Sequence, residues 1–517
     1  MISSAEVRLH SSRQSCWVII SGKAYDVTSF LDQHPGGPNA ILRFAGKVYH
    51  IIPSRCMSDT ESTVLLGCDG GSLVATATEL ELAETNALTL TEAQHLGPVE
   101  MSNGPEQAQI SLPAFARAAE KNESTNKQTP LSMLQNLDEF ETEARKVLSE
   151  KAWIYYSSAS DTLFSHTNNR SAFAKISLRP RTLRNVAQVS MRRTIMGCHS
   201  SLPVFVAPAA LAKLGHPDGE LCLVRGAVRS DIPYCPSTYS SVAHAELTEC
   251  LQEERRSNEG RGALFFQLYA PINKREGTLK LIADAKALDY QALVVTVDSA
   301  VIGKREADDK YKAMLDYESG LSDPQSLHMF HTLNPNPPVP RGAHSSTLEW
   351  DDLKWIREAW GARPIILKGL ATVEDVEEAA RRGVEGVYLS NHGGRQLDFA
   401  PSSLHTLLEI RTFRPDLFDK LEVYVDGGYR RGTDVIKALC LGARAVGFGR
   451  PFMYSLSGYG TEGVCRAIEI LSDEIQTAMR LMGVNNLDQL DTSYVNTALL
   501  KLEMPQLDQK RMLGSKL

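Results

Sequence analysis

The stretch VYLSNHGGRQLDF, Val387 to Phe399, decides how this chain is read. An apolar run of strand type stops at Ser390, and Asn391, His392, two glycines and Arg395 follow at once. A strand that ends this way presents His392 and Arg395 at a turn, where they do little for stability and are available for chemistry. Working outward, seven more short apolar runs stand at similar intervals: PVFVAPA (203–209), IPYCPS (232–237), LFFQLYA (264–270), LVVTVD (293–298), IILKG (365–369), VYVDGG (423–428) and AVGFGR (445–450). Amphipathic segments of helical length separate them, for example ATVEDVEEAARRG and GTDVIKALCLGA. Eight near-continuous apolar strands alternating with helices predict an α/β protein, a (β/α)8 or TIM barrel rather than a sandwich.

A barrel of this kind works at the C-terminal ends of its strands. The residues closing the runs, with those just beyond, then share one mouth: Ala209, Ser237, Gln267, Tyr269, Thr296, Asp298, Lys368, His392, Arg395, Asp426, Arg430 and Arg450. The last two strands end in DGGYRRG and GFGRP. Glycines that expose backbone N–H groups beside Arg430 and Arg450 suit a phosphate, and barrels commonly bind one after these strands. The fourth connection, Ser299 to Pro364, is much longer than the others and contains HTLNPNPPVPRGAHSST, which reads as a lid or docking segment.

The barrel does not fill the 517 residues. Residues 1–85 read as a separate small unit, in which CWVIISGKAYDVTSF alternates like a hairpin about Ser21-Gly22 and HPGG follows at 34–37. Residues 86–130 have linker composition, 131–495 form the barrel, and 496–517 are a tail. A net charge of −7 with no basic stripe argues against nucleic acid, and no apolar run approaches the length of a membrane span. Nine scattered cysteines without a C-x-x-C pair imply a reducing compartment and no cysteine metal site. The N-terminus lacks a secretory h-region. Ser515-Lys516-Leu517 matches the peroxisomal import tripeptide, so peroxisome is the expected location, with cytoplasm or the mitochondrial intermembrane space as alternatives.

SNHGGRQLD, DGGYRRG, FFQLY, TVD followed by KREAD, and ILKG together resemble the FMN-dependent L-2-hydroxy-acid oxidases and dehydrogenases. The HPGG unit resembles cytochrome b5, an α+β domain, and the domain order is similar to that of the flavocytochrome b2 group. The resemblance implies an enzyme that oxidises an L-2-hydroxy acid, lactate-like or longer, to the 2-oxo acid. It implies His392 as general base, Asp298 as its orienting partner, Tyr269 on the substrate oxygen, Arg395 and Arg305 on the substrate carboxylate with Tyr155, and Lys368 beside the flavin. Ala209, Ala210, Ser237, Gln267 and Thr296 would hold the FMN ring, while Asp426, Gly428, Arg430, Gly449 and Arg450 would hold its ribityl and phosphate. Tyr239 and Leu211 fall where the substrate side chain is accommodated.

Haem b needs two axial ligands, and His34 in HPGG is the first that the resemblance implies. After AGK at 45–47 the sequence departs from the b5 pattern, reading VYHIIPSRCMSDTES, which leaves His50, Met57 or no residue as the second. Electrons then pass through haem to a cytochrome, or directly to dioxygen with hydrogen peroxide as product. The resemblance also implies a homotetramer. The competing readings are an FMN barrel of isomerase type, a barrel of IMP dehydrogenase type, and a haem-binding or scaffold protein with an inactive FMN-type barrel.

Overall fold

The computed structural model describes residues 128–258, 260–318 and 344–505, with short segments before them, within 2–28 and at 49–51, 62–67, 72–76 and 95–100. It divides into two compact units, Met1–Ser124 and Thr125–Leu517.

The second unit is built on seven parallel strands. In sheet order these are Val204–Val206, Ala445–Phe448, Glu422–Val425, Gly386–Leu389, Ile365–Leu370, Leu293–Thr296 and Phe266–Leu268. Each falls on one of the apolar runs. The remaining run, IPYCPS, contributes Tyr234, which bridges the two edge strands in parallel. Tyr234 N–H donates to Ala263 O at 3.0 Å and its carbonyl accepts from Phe265 N–H at 2.9 Å. On the other side Val206 N–H donates to Pro233 O at 3.0 Å and Cys235 N–H to Val206 O at 2.9 Å. The barrel therefore closes through a strand one residue long. Pro233 and Pro236 flank that residue and have no N–H to extend a ladder.

One apolar side chain from each strand fills the barrel's interior: Phe205, Cys235, Phe265, Val294, Ile366, Tyr388, Tyr424 and Ala445, all fully buried. A second, larger core lies between the outward faces of the strands and the helices. Its longest element is the helix Arg450–Met482, kinked at Gly460, which packs on Leu137–Val147 and Glu220–Arg229.

In the first unit Ser15–Ile20 and Lys23–Asp26 pair antiparallel with Ile20 opposite Lys23, as the hairpin reading expects. They belong to a five-stranded sheet that also contains His95–Glu100. The stretch read as linker thus contains a strand, which pairs with Lys23–Asp26 despite the glycine and proline in HLGPVE. Tyr49–Ile51, Ser62–Gly67 and Ser72–Thr76 form a three-stranded antiparallel sheet, in which the backbone of His50 faces Leu66. His34, the rest of HPGG, Met57 and the Ser515–Leu517 tripeptide lie outside the described residues, as do residues 319–343 of the long fourth connection.

Candidate active site

Side chains on a strand alternate between faces, so two residues beyond the interior plug each strand points inward again. That step gives Ala207, Ser237, Gln267, Thr296, Lys368, Ser390, Asp426 and Gly447. All but Ser390 line a cavity of about 770 Å³, together with Ala209, Ala210, Tyr155, Tyr239, Tyr269, Arg305, His392, Arg395, Gly428, Arg430, Gly449 and Arg450. The pleat that packs an apolar plug below thus lays a polar floor above it. Gln267 Nε2 donates to Thr296 Oγ1 at 2.9 Å, and Gln267 Oε1 accepts from Thr238 N–H at 3.0 Å. Lys368, only 4% exposed, donates to Ser390 Oγ at 3.1 Å and lies 3.6 Å from Asp426 Oδ2.

His392 sits just past the sixth strand with φ +60°, in the left-handed region that a non-glycine residue seldom adopts. Ser390 Oγ holds this turn by accepting from His392 N–H at 3.0 Å. Gly394 follows with φ +75°, and a Cβ there would stand 2.6 Å from the backbone N of His166. The strained turn aims the imidazole. Its Nδ1 lies 3.0 and 3.2 Å from the two Asp298 oxygens, and its Nε2 is 3.2 Å from Tyr269 OH. Asp298 stands behind His392 rather than on the cavity wall, and Gln396 Nε2 fixes it by donating to Asp298 O at 2.7 Å.

Charge follows this layout. Burial pulls His392 below the usual imidazole range, Lys368 and Arg305 add to that, and the Asp298 carboxylate opposes it. Burial pushes Asp298 up, but the charge and hydrogen bond of His392 and the charge of Lys368 bring it below the usual carboxylate range. The resting state is a neutral base against an anion. Arg395 is pulled down to about 9 by burial and by Arg305 and Arg450 close by. Its Nη1 donates to the carbonyls of Tyr155 and Ser158 at 2.8 and 2.7 Å. Such a concentration of cations suits an anionic guest.

Among the buried polar atoms of this wall that have no hydrogen-bond partner are Asp426 Oδ1, an acceptor, and Arg430 Nη1, a donor. Both lie at the end where Gly427 and Gly428, with φ +87° and +84°, and Gly449 at the start of the helix Arg450–Met482 expose backbone. A polyol phosphate supplies hydroxyls for the first and anionic oxygens for the second, so the residues fit FMN. Arg450 is differently committed: its Nε, Nη1 and Nη2 donate to the carbonyls of Tyr156, Gly393 and Ser158 at 2.8, 2.8 and 2.9 Å.

Every barrel residue expected at the site lines this cavity except Asp298, which contacts His392 from behind, and Leu211, whose carbonyl accepts from Tyr156 OH at 2.8 Å. His166 and His344 also line it and carry no signal in the sequence beyond being histidines. Burial and the neighbouring arginines hold His166 down to about 4, so it is neutral.

Residues 144–497 match the family described as FMN-dependent dehydrogenase, and residues 3–66 the cytochrome b5-like heme/steroid binding domain. The L-lactate dehydrogenase (cytochrome) of Saccharomyces cerevisiae is 35% identical over 518 residues, covering 97% of this chain and 80% of that protein. The 2-hydroxyacid oxidase 2 of Bos taurus is 36% identical over 364 residues, 69% of this chain and 97% of that one. Among solved structures, the recombinant flavin-binding domain of baker's yeast flavocytochrome b2 superposes with TM-score 0.64 at 36% identity, covering 75% of this chain and 93% of that one. A mandelate oxidase variant with (S)-mandelic acid gives TM-score 0.58 at 31% identity, over 70% and 98%. The chain belongs to the FMN-dependent dehydrogenase family: it is an FMN-dependent oxidoreductase whose TIM barrel is preceded by a cytochrome b5-like domain of the haem-binding type.

Proposed function

We propose that the protein oxidises an L-2-hydroxy acid, lactate-like or longer, to the 2-oxo acid. The observation that carries this reading is His392 held between Asp298 and Tyr269 in a cavity that also contains Arg305 and Arg395. Arg395 and Arg305 bind the substrate carboxylate, assisted by Tyr155, and so turn the hydroxyl-bearing carbon toward His392. Neutral His392 takes a proton at Nε2, and Asp298 stabilises the resulting imidazolium through Nδ1. Tyr269 hydrogen-bonds the substrate oxygen. Ala209, Ala210, Ser237, Gln267 and Thr296 would hold the ring of FMN, with Asp426, Gly428, Arg430, Gly449 and Arg450 at the ribityl and phosphate end, and the flavin would supply the two-electron acceptor. Lys368 sets a fixed positive charge at the floor, where negative charge develops.

Haem b held by the N-terminal domain would supply the onward route for the electrons, with a cytochrome as acceptor, as the name of the yeast relative indicates. His34 would be one residue holding the haem iron, with His50 the nearest candidate for the other. A second reading, direct transfer to dioxygen, is favoured by the departure from the b5 pattern after Lys47. An absorption spectrum of the full-length protein, before and after anaerobic L-lactate, separates them. Flavin bands that bleach while a Soret band shifts support the cytochrome route. Bleaching without a Soret band supports the dioxygen route, and a protein with no flavin bands overturns the proposal.

We also place the protein in peroxisomes as a tetramer of barrels, on the Ser515–Leu517 tripeptide and the family resemblance. A fluorescent fusion that moves to mitochondria, or a monomer in light scattering, would overturn the respective point. Among the described residues no helix is long and apolar enough to cross a membrane.

A further inference from the structure

His344 reaches the cavity from the long fourth connection and touches Tyr269, one partner of His392, and Ser299, which is bonded to the other, Asp298. Its ring stacks on Tyr269 with centroids 4.2 Å apart and planes 12° from parallel. Its Nδ1 is 3.1 Å from Ser299 O. A carbonyl cannot donate, so Nδ1 carries the proton and the ring is in its Nδ1–H tautomer. Burial keeps this histidine below the usual imidazole range, consistent with a neutral ring. Ser299 is itself bonded to the dyad, its hydroxyl donating to Asp298 Oδ1 at 3.0 Å.

These contacts form a closed ring of five residues: His344 to the Ser299 carbonyl, the Ser299 hydroxyl to Asp298, Asp298 to His392, His392 to Tyr269, and Tyr269 back to His344. The next residue fastens the closure, since Ser345 N–H donates to Ala270 O at 2.8 Å, one residue beyond Tyr269. Tyr239 flanks the stacked pair, with centroids 5.5 Å from Tyr269 and 5.7 Å from His344. Phenylalanine at 344 would stack as well but could not reach Ser299, and asparagine could donate to Ser299 but could not stack. Histidine does both.

We propose that His344 is a positioning residue for the reaction: it closes the ring that sets Tyr269 and Asp298 on either side of His392, and so ties the end of the fourth connection to the catalytic geometry. This rests on the reading of His392 as the base. It acts on the orientation of the proton-transfer groups, not on the arginines that bind the carboxylate, so the maximal rate falls while KM is little changed.

The test uses full-length holoenzyme with L-lactate, measuring steady-state kcat and KM and the rate of anaerobic flavin bleaching, for His344→Ala, His344→Phe and His344→Asn. In the alanine variant, kcat and the bleaching rate per bound flavin fall about tenfold or more with KM within about threefold; phenylalanine and asparagine each restore part of the loss. Flavin content and melting temperature report the fold, and counting rate per bound flavin keeps the comparison valid where some flavin is lost. An alanine variant that bleaches at the wild-type rate, a change confined to KM, or no recovery in the two conservative variants overturns the proposal. Wild-type protein that neither L-lactate nor a panel of longer 2-hydroxy acids bleaches overturns the functional reading itself, and His344's role with it.

Discussion

Gly369 makes room for Asp298: its φ is +108°, and a Cβ built there would stand 2.6 Å from both Cβ and Cγ of the aspartate. The fifth strand shifts its register between Lys368 and Leu370 at this glycine. Gly369→Ala adds both a clash and backbone strain, a destabilisation of about 1 kcal/mol or more. Because the clash falls on the residue that orients His392, kcat falls more than KM rises. Thermal melting and steady-state kinetics on one preparation check both effects; an alanine variant with wild-type kcat would show that Asp298 tolerates displacement.

The pH dependence follows from the signs at His392. The base must be neutral to take a proton, and burial holds it below the usual imidazole range, so the acid limb of kcat/KM lies below that range. The Asp298 anion is what raises its affinity for a proton. Asp298→Asn removes that anion, so the acid limb moves to still lower pH while kcat drops by about 10² to 10⁴. A limb that moved to higher pH would contradict the assignment.

Arg430 carries the unpartnered Nη1 at the proposed phosphate end, while its Nη2 is bound to Glu141 at 2.7 Å. Arg430→Ala should weaken FMN binding about tenfold or more, read as flavin fluorescence released on dilution and restored by added FMN. Retention of FMN at wild-type strength would move the phosphate away from this arginine.

Arg395→Lys keeps a positive charge but loses the planar fork and the bonds to the Tyr155 and Ser158 carbonyls. We expect kcat/KM for a 2-hydroxy acid to fall about 10²-fold, with inhibition by oxalate weakened in parallel. Unchanged oxalate inhibition would remove Arg395 from carboxylate binding.

Much of the barrel was legible because a strand covered on both faces must be apolar along its whole length, and its polar residues can then stand only at its ends. The same logic, applied to sequence alone, places Lys368, Asp426 and His392 at one mouth. Tyr234 was legible as part of a run, but its reduction to a single bridging residue depends on Pro233 and Pro236, whose missing N–H groups matter only once the neighbours are known. His344 was not legible. It lies among Ser, Thr and Pro residues with no period, and its partners Ser299 and Tyr269 are distant in the sequence and meet it only in the fold. His166 was hidden for a similar reason, lying in the short helix Phe164–Ser171, where nothing in FSHTNNRS marks it as facing a cavity.

The one-residue second strand gives the barrel a seam. Elsewhere neighbouring strands are joined by ladders, but here the circle is fastened by two backbone hydrogen bonds on the Val206 side and three on the other, where Gln267 N–H donates to Pro236 O at 3.1 Å, with a proline before and after Tyr234. Cooperative opening begins where the fewest bonds must break together, so the staves on either side of Tyr234 part before the others. The amides of Val206, Tyr234, Cys235 and Phe265 are the gauge of that parting, exchanging with solvent ahead of their counterparts in the fully laddered wall across the barrel.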